Sequence, residues 1–139
     1  MIIGQIKDGI VLDHITAGKC MEIYKALELD KLDCQVAIIK NAESKKHGRK
    51  DIIKIDQAID IDLDVLGYLD ERITVNIIKD GKLLKRAHLE APAEIKNVIK
   101  CKNPRCITSV EHDLKHVFKL TDKENGVYRC AYCDTRAER

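Results

Sequence analysis

Cys101-Lys102-Asn103-Pro104-Arg105-Cys106 and Cys130-Ala131-Tyr132-Cys133 decide how the last third of this chain folds. Two thiolates a few residues apart can grip one cation from both sides of a tight turn. Two such pairs complete a tetrahedron of sulfurs, the closed geometry that zinc takes when its role is structural. The intervening residues 107–129 are enough for two or three short strands. Asn103-Pro104 bends the first knuckle, and Asn125-Gly126 is a hairpin signal just ahead of the second. Two disulfides are the rival reading. They belong to an oxidising compartment, and no signal-peptide pattern stands at the N-terminus, so metal is the expectation. A core of about forty residues seldom stabilises itself, so metal binding should be folding free energy for this segment. Four cysteines leave no open coordination position. The expected metal holds a fold together and catalyses nothing.

Outward from this cluster, the bulk properties narrow the classes. The chain of 139 residues is 45% apolar and 35% charged with a formal net charge of +2, and it holds no apolar run near the roughly 20 residues a bilayer span needs. Lys and Arg stand 16 against 17 acids in residues 1–97, and 9 against 6 in residues 98–139. Neither part is a basic arm, so nucleic-acid binding has little support. Aromatics are Phe118 and four tyrosines, with no tryptophan, which argues against stacking platforms for single strands. Cys20 and Cys34 lie in apolar-rich segments and read as small core residues. With no targeting or membrane segment in view, a cytoplasmic location is expected.

Before the cluster the pattern is that of an α+β domain. Residues 2–15 read as a hairpin around Asp8-Gly9, a type I′ turn signature. A helix then starts from Thr16, with Cys20, Ile23, Tyr24 and Leu27 at helical spacing. A strand follows at 34–40, then a polar, turn-like stretch at 41–48. Gly48-Arg49-Lys50-Asp51-Ile52-Ile53-Lys54-Ile55 reads as a loop entering a strand. Asp60 or Asp62 caps a short helix running to Leu69. A strand at 72–80 turns through Asp80-Gly81 into 82–89. Residues 90–97, with Pro92, form the linker. The expected architecture is α+β: a ferredoxin-like sandwich at 1–92, with two helices on one face of an antiparallel sheet, followed by a small all-β, zinc-ribbon-like domain at 97–139.

Candidate chemistry is sparse. There is no Gly-rich phosphate loop, nucleophile elbow or His-Glu-x-x-His helix. His112 and His116, four apart, could meet on a helix face as a second metal site, though a solvated or packed pair is the simpler reading. His47 and His88 stand alone. Lys50 and Lys54 are an even number apart, so in a regular strand they project together. Arg86 on a neighbouring strand would complete a three-cation cradle for a polyphosphate. Asp13 could then hold a ribose hydroxyl, with Ile6, Val11 and Ile78 as an apolar slot for a base. Pattern alone favours the plainer reading, a charged outer face on a half-buried sheet.

Gly9-Ile10-Val11-Leu12-Asp13-His14-Ile15, the Gly48–Ile55 block, Thr74-Val75-Asn76 and the cysteine spacing fall in one order that resembles the regulatory chain of aspartate carbamoyltransferase. The resemblance spans nearly the whole chain. It implies a non-catalytic subunit of pyrimidine biosynthesis that binds CTP and ATP, with UTP a further candidate effector. It also implies one structural zinc on Cys101, Cys106, Cys130 and Cys133, a homodimer through the N-terminal domain, and docking of the zinc domain onto the catalytic chain. The assembly would hold two catalytic trimers and three regulatory dimers, with no membrane or nucleic-acid partner. By matching position, Ile6 and Val11 would lie near the base, with Asp13 and Lys54 at the ribose and base edge. His14, Lys50, Asn76 and Arg86 would lie near or on the phosphates, with Ile78 and Leu83 lining the slot. Asn103 and Asp134 match positions at the catalytic-chain interface. Arg86 replaces a family lysine, Gly4 and Gly81 replace larger residues, and the family's N-terminal arm is expected to be nearly absent. The alternative reading is a zinc-ribbon nucleic-acid binder, resting on cations near the knuckles.

Overall fold

The computed structural model describes residues 7–45 and 48–137. The chain divides between Leu89 and Glu90 into two units. The first is built on strands Gly9–Thr16 (β1), Val36–Ser44 (β2), Gly48–Ile55 (β3), Thr74–Lys79 (β4) and Lys82–His88 (β5), with helices Cys20–Ala26 (α1) and Leu63–Leu69 (α2). All pairings are antiparallel, in the order β2-β3-β1-β4-β5. A helix crosses between β1 and β2 and another between β3 and β4, which is the split arrangement expected of a ferredoxin-like sheet.

Side-chain alternation sets the two faces. Ile10 and Leu12, Ile53 and Ile55, and Ile73 and Val75 are buried, and they pack with Cys20 and Ile23 of α1 and Leu66 of α2 in one core. Each such aliphatic side chain contributes about 2 kcal/mol through burial. The intervening residues, Val11, Lys50, Ile52, Lys54 and Ile78 among them, are half-buried on the opposite face. With both helices committed to one side, the other side of the sheet is left for ligands or solvent.

Three local expectations change. Asp8-Gly9 is not a hairpin turn, and residues 2–6, the first arm of the expected hairpin, lie outside the described residues. Neither Asp8 nor Gly9 has the positive φ of a type I′ turn, Gly9 already pairs with Ile78, and both edges of β1 are taken by β3 and β4. The helix begins at Cys20 rather than Thr16, which ends β1. No side chain of its own first turn caps it. Instead the buried Asp51 carboxylate reaches over from β3 and accepts from Gly18 N (2.9 Å) and Cys20 N (3.3 Å). The polar stretch after Lys40 continues β2 as far as Ser44 instead of turning. Asn41 takes a left-handed conformation (φ 55) within a bulge, donates its N–H to Asp51 Oδ1 (2.9 Å), and the ladder then resumes. By contrast, Asp80 and Gly81, both at positive φ (53° and 74°), make the expected two-residue turn between β4 and β5. Asp62 caps α2, accepting from Asp64 N and Val65 N.

The second unit has a three-stranded antiparallel sheet of Glu94–Lys96 (β6), Val117–Asp122 (β7) and Val127–Cys130 (β8), plus a single helical turn, Ile107–Val110 (α3). Part of the expected linker is therefore an edge strand, because Ile95 is needed beside Phe118 and Tyr128 in a very small core. Tyr128 Oη donates to the Pro92 carbonyl at 2.6 Å, tying the start of the unit to its last strand. Asn125 closes the β7–β8 loop, donating backbone and side-chain N–H to the Asp122 carboxylate, and Gly126 supplies the positive φ. Among the described residues, no helix is long and apolar enough to cross a membrane.

Candidate functional site

The second unit brings all four clustered cysteines together. Their sulfurs lie within 4.8 Å of one another, with Cys101 Sγ–Cys133 Sγ at 3.5 Å and Cys106 Sγ–Cys130 Sγ at 3.7 Å. A tetrahedral ion with bonds of about 2.3 Å needs sulfurs about 3.8 Å apart, whereas a disulfide needs about 2.05 Å. The spacing fits the ion, and all four cysteines are free. Each half of the site is a tight turn. In the first, Cys106 N donates to Asn103 O (3.0 Å) and Arg105 N to Asn103 Oδ1 (3.0 Å). In the second, Asp134 N donates to Cys130 O (2.9 Å), with Asp134 itself at φ 65.

Neighbouring hydroxyls and amides reach the sulfurs. Thr108 Oγ1 donates to Cys106 Sγ at 3.0 Å. Burial alone would raise the Cys133 thiol, but hydrogen bonds from Thr135 and the Asn103 side chain outweigh it and bring the pKa down to about 6. Burial pushes Cys101 up to about 12. Metal binding, which needs thiolates, must therefore release protons here. His116 does not join His112 on a helix face, since residues 111–116 are not helical. Its Nδ1 accepts from Cys101 N at 3.2 Å and its own N–H donates to Asn97 Oδ1 at 2.9 Å, so it braces the metal loop.

In the first unit, the sheet face opposite the helices gathers the predicted cradle residues. Register places Lys54 across from Val11, Val11 across from Asn76, and Asn76 across from Arg86, a single row over β3, β1, β4 and β5. Burial alternates without a break from Lys50 to Ile55, so Lys50 shares this face with Lys54. Asp13 meets Lys50 here at 3.0 Å. Burial works to raise the Asp13 carboxyl, but Lys50 and the His14 N–H more than offset it and hold it below 3.8. Asp13 and His14 form a bulge in β1 opposite Ile52, with His14 at φ 60 and its Nδ1 3.2 Å from Thr74 Oγ1. At the other end of the face, Gly9, Ile78 and Leu83 form an apolar row. Ile6, assigned to the same slot, lies outside the described residues, as does Gly4. The face therefore runs from charged (Asp13, Lys50), through mixed (Lys54, Asn76, Arg86), to apolar (Ile78, Leu83).

Two features were not read from the sequence. Asp51 adjoins Lys50 but points the other way, into the core. An acid inside an otherwise apolar alternation was its one visible signal. The other is an exposed apolar group beside the metal loops: Ile107, Val110 and Tyr132 are 50%, 67% and 47% exposed. Asp134 is exposed next to Tyr132, while Asn103 is half-buried with its side chain engaged in the knuckle.

Comparison with known proteins agrees with this two-part construction. Residues 1–90 match the family model for the allosteric domain of the aspartate carbamoyltransferase regulatory chain, and residues 93–139 match the model for its metal binding domain. The aspartate carbamoyltransferase regulatory chain of Clostridium acetobutylicum is 53% identical over 134 residues, covering 96% of this chain and 92% of that one. That of Clostridium tetani is 51% identical over 135 residues, with 96% and 94% covered. That of Bifidobacterium longum is 41% identical over 138 residues, with 99% of each covered. The nucleic-acid alternative finds no support in these matches. A sheet domain and a four-thiolate domain, each matching its counterpart in order and over nearly its whole length, establish that the chain belongs to the family of aspartate carbamoyltransferase regulatory chains, not to the catalytic subunit.

Proposed function

We propose that this chain senses nucleoside triphosphates of the CTP and ATP type, UTP included, on the open face of its N-terminal sheet and relays their binding to a catalytic chain held by its metal domain. The observation that carries this reading is the row Lys54–Val11–Asn76–Arg86, flanked by the Asp13–Lys50 pair on one side and by Ile78 and Leu83 on the other. A nucleotide offers an anionic tail, a ribose of hydroxyls and a flat apolar base, and this face carries cations, hydrogen-bonding groups and an apolar row to meet them. His14, Lys50 and Arg86 would take the phosphates with Asn76 beside them, Asp13 and Lys54 the ribose and base edge, and Val11, Ile78 and Leu83 the base. Because Asp13 already holds Lys50, a phosphate must compete for that ammonium, which favours ligands carrying several negative charges.

The four thiolates would hold one zinc, whose contribution is structural cross-linking. Cys101, Cys106, Cys130 and Cys133 keep the two knuckles together, and α3 follows directly from the first. The docking surface would be Ile107, Val110 and Tyr132, with Asp134 and Asn103 at its margin. Apolar groups of this size beside a rigid loop suit the desolvated centre of an interface. Pairing with a second copy would use the N-terminal unit, giving three regulatory dimers with two catalytic trimers. The β2 edge, Val36 to Ile39, carries no charge, whereas the β5 edge presents Lys82, Lys85 and Arg86.

Regulation then follows from linkage. An effector alters catalysis only through different affinities for two quaternary states, with coupling of about 1–3 kcal/mol as the usual range. The test is calorimetric titration of CTP, ATP and UTP into the purified chain, run beside co-purification with the catalytic chain. Saturable triphosphate binding with retention on the catalytic chain is expected. Absence of binding by all three nucleotides would overturn the effector reading.

A further inference from the structure

We infer that Asn76 is a positioning residue that clamps the Arg86 guanidinium by its Nε, so that both terminal amino groups face the ligand as a fork for two oxygens of one phosphate. This rests on the effector reading of the sheet face and names how that face selects its ligand. Arg86 Nε donates to Asn76 Oδ1 at 2.9 Å, while Asn76 Nδ2 donates to the Val11 carbonyl at 3.3 Å. A guanidinium only donates and a carbonyl only accepts, so the two partners fix which end of the amide points where. Asn76 is buried, at 9% exposure, and Arg86 is exposed. A rigid amide thus holds an otherwise mobile cation by the inner edge of its plane. Among the described residues, Asn76 is the one side-chain partner of the Arg86 guanidinium.

The register of β5 makes this meeting possible. Lys79 faces Lys82 and Ile78 faces Leu83, but Ile77 faces Lys85, so Leu84 is an extra residue in β5. Without that bulge Lys85 would stand across from Asn76. With it, Arg86 does. A lysine there would offer a freely rotating ammonium and no second point of attachment, whereas a planar, tethered guanidinium matches two oxygens at once. The chemistry favoured is a terminal or bridging phosphate group over a single carboxylate-like charge placed loosely on the face.

The test is a double-mutant cycle on the full chain, reading CTP affinity by calorimetry for Asn76→Ala, Arg86→Lys and both together, with Lys54→Ala alongside. Each of the two single changes should weaken CTP by about tenfold. The double variant should be no weaker than Arg86→Lys alone, because lysine has no Nε–H for Asn76 to hold. An equal further loss from Asn76→Ala in the Arg86→Lys background would overturn the clamp. So would wild-type CTP affinity in Arg86→Lys while Lys54→Ala still loses binding, an outcome that leaves the effector face standing. If Lys54→Ala also binds normally, the effector reading itself falls. Should Asn76→Ala fail to fold, exposed Arg86 decides alone: Arg86→Lys must lose most of what Arg86→Gln loses, and near-normal affinity in the lysine variant refutes the fork.

Discussion

Replacing Asp51 by alanine should destabilise the N-terminal unit by about 3 kcal/mol. The carboxylate accepts from Cys20 N, whose hydrogen bond is fully buried, and from Gly18 N and Asn41 N, which are partly exposed. Orphaning the buried amide costs about 1–3 kcal/mol, and each partly exposed amide, which can recruit water, costs about 0.5–1 kcal/mol. A loss of about 3 kcal/mol in a unit of this size corresponds to a fall in Tm of roughly 12–24 °C. Asp51→Asn should fall between the wild type and Asp51→Ala. One amide end can still accept, but the other presents N–H to N–H. Burial works to raise the Asp51 carboxyl, and the three amides with Cys20 hold it below 3.8. A carboxyl depressed by folding stabilises fully above its unfolded value and loses that stabilisation as the pH drops through its folded value. The advantage of wild type over Asp51→Asn should therefore be constant at neutral pH and shrink as the pH falls below 3.8. The assay is urea unfolding of the metal-loaded chain by far-UV circular dichroism, with metal content measured to report on the second unit separately. A loss below about 1 kcal/mol for Asp51→Ala, within the scatter of ordinary surface changes, would refute the cap-and-bulge account.

Lys54→Ala should weaken CTP binding without changing metal content; unchanged CTP and ATP titrations would remove Lys54 from the site. Cys130→Ser breaks the tetrahedron, so metal content should drop below one per chain, β7 and β8 should lose protection from hydrogen exchange, and the chain should no longer co-purify with its catalytic partner. Retained co-purification would place the interface elsewhere. Val110→Asp, an exposed change that leaves the fold untouched, should cut that co-purification by about tenfold or more at normal metal content and normal CTP affinity. Strong chelation should unfold the second unit while leaving the thermal transition of the first in place, as read by circular dichroism before and after zinc is restored.

The cysteine pairs were legible because metal geometry is local: two short spacings dictate two knuckles, whatever lies between them. The periodicities of Ile53 and Ile55 against Lys50 and Lys54, the Asp62 cap and the Asp80-Gly81 turn were legible for the same reason, since each depends on residues a few positions apart. Which faces and edges meet was not. The β2 bulge at Asn41 and the late start of α1 both answer to Asp51, a residue ten to thirty-three positions from the amides it binds. The choice of Arg86 rather than Lys85 beside Asn76 hangs on one extra residue in β5. Such contacts are set by packing across the sheet, where a shift of one residue reverses every side chain. Local spacing in the sequence determined the metal site and the element types; the tertiary structure alone decided which charged side chains share a face, because register is a property of paired strands and not of either strand by itself.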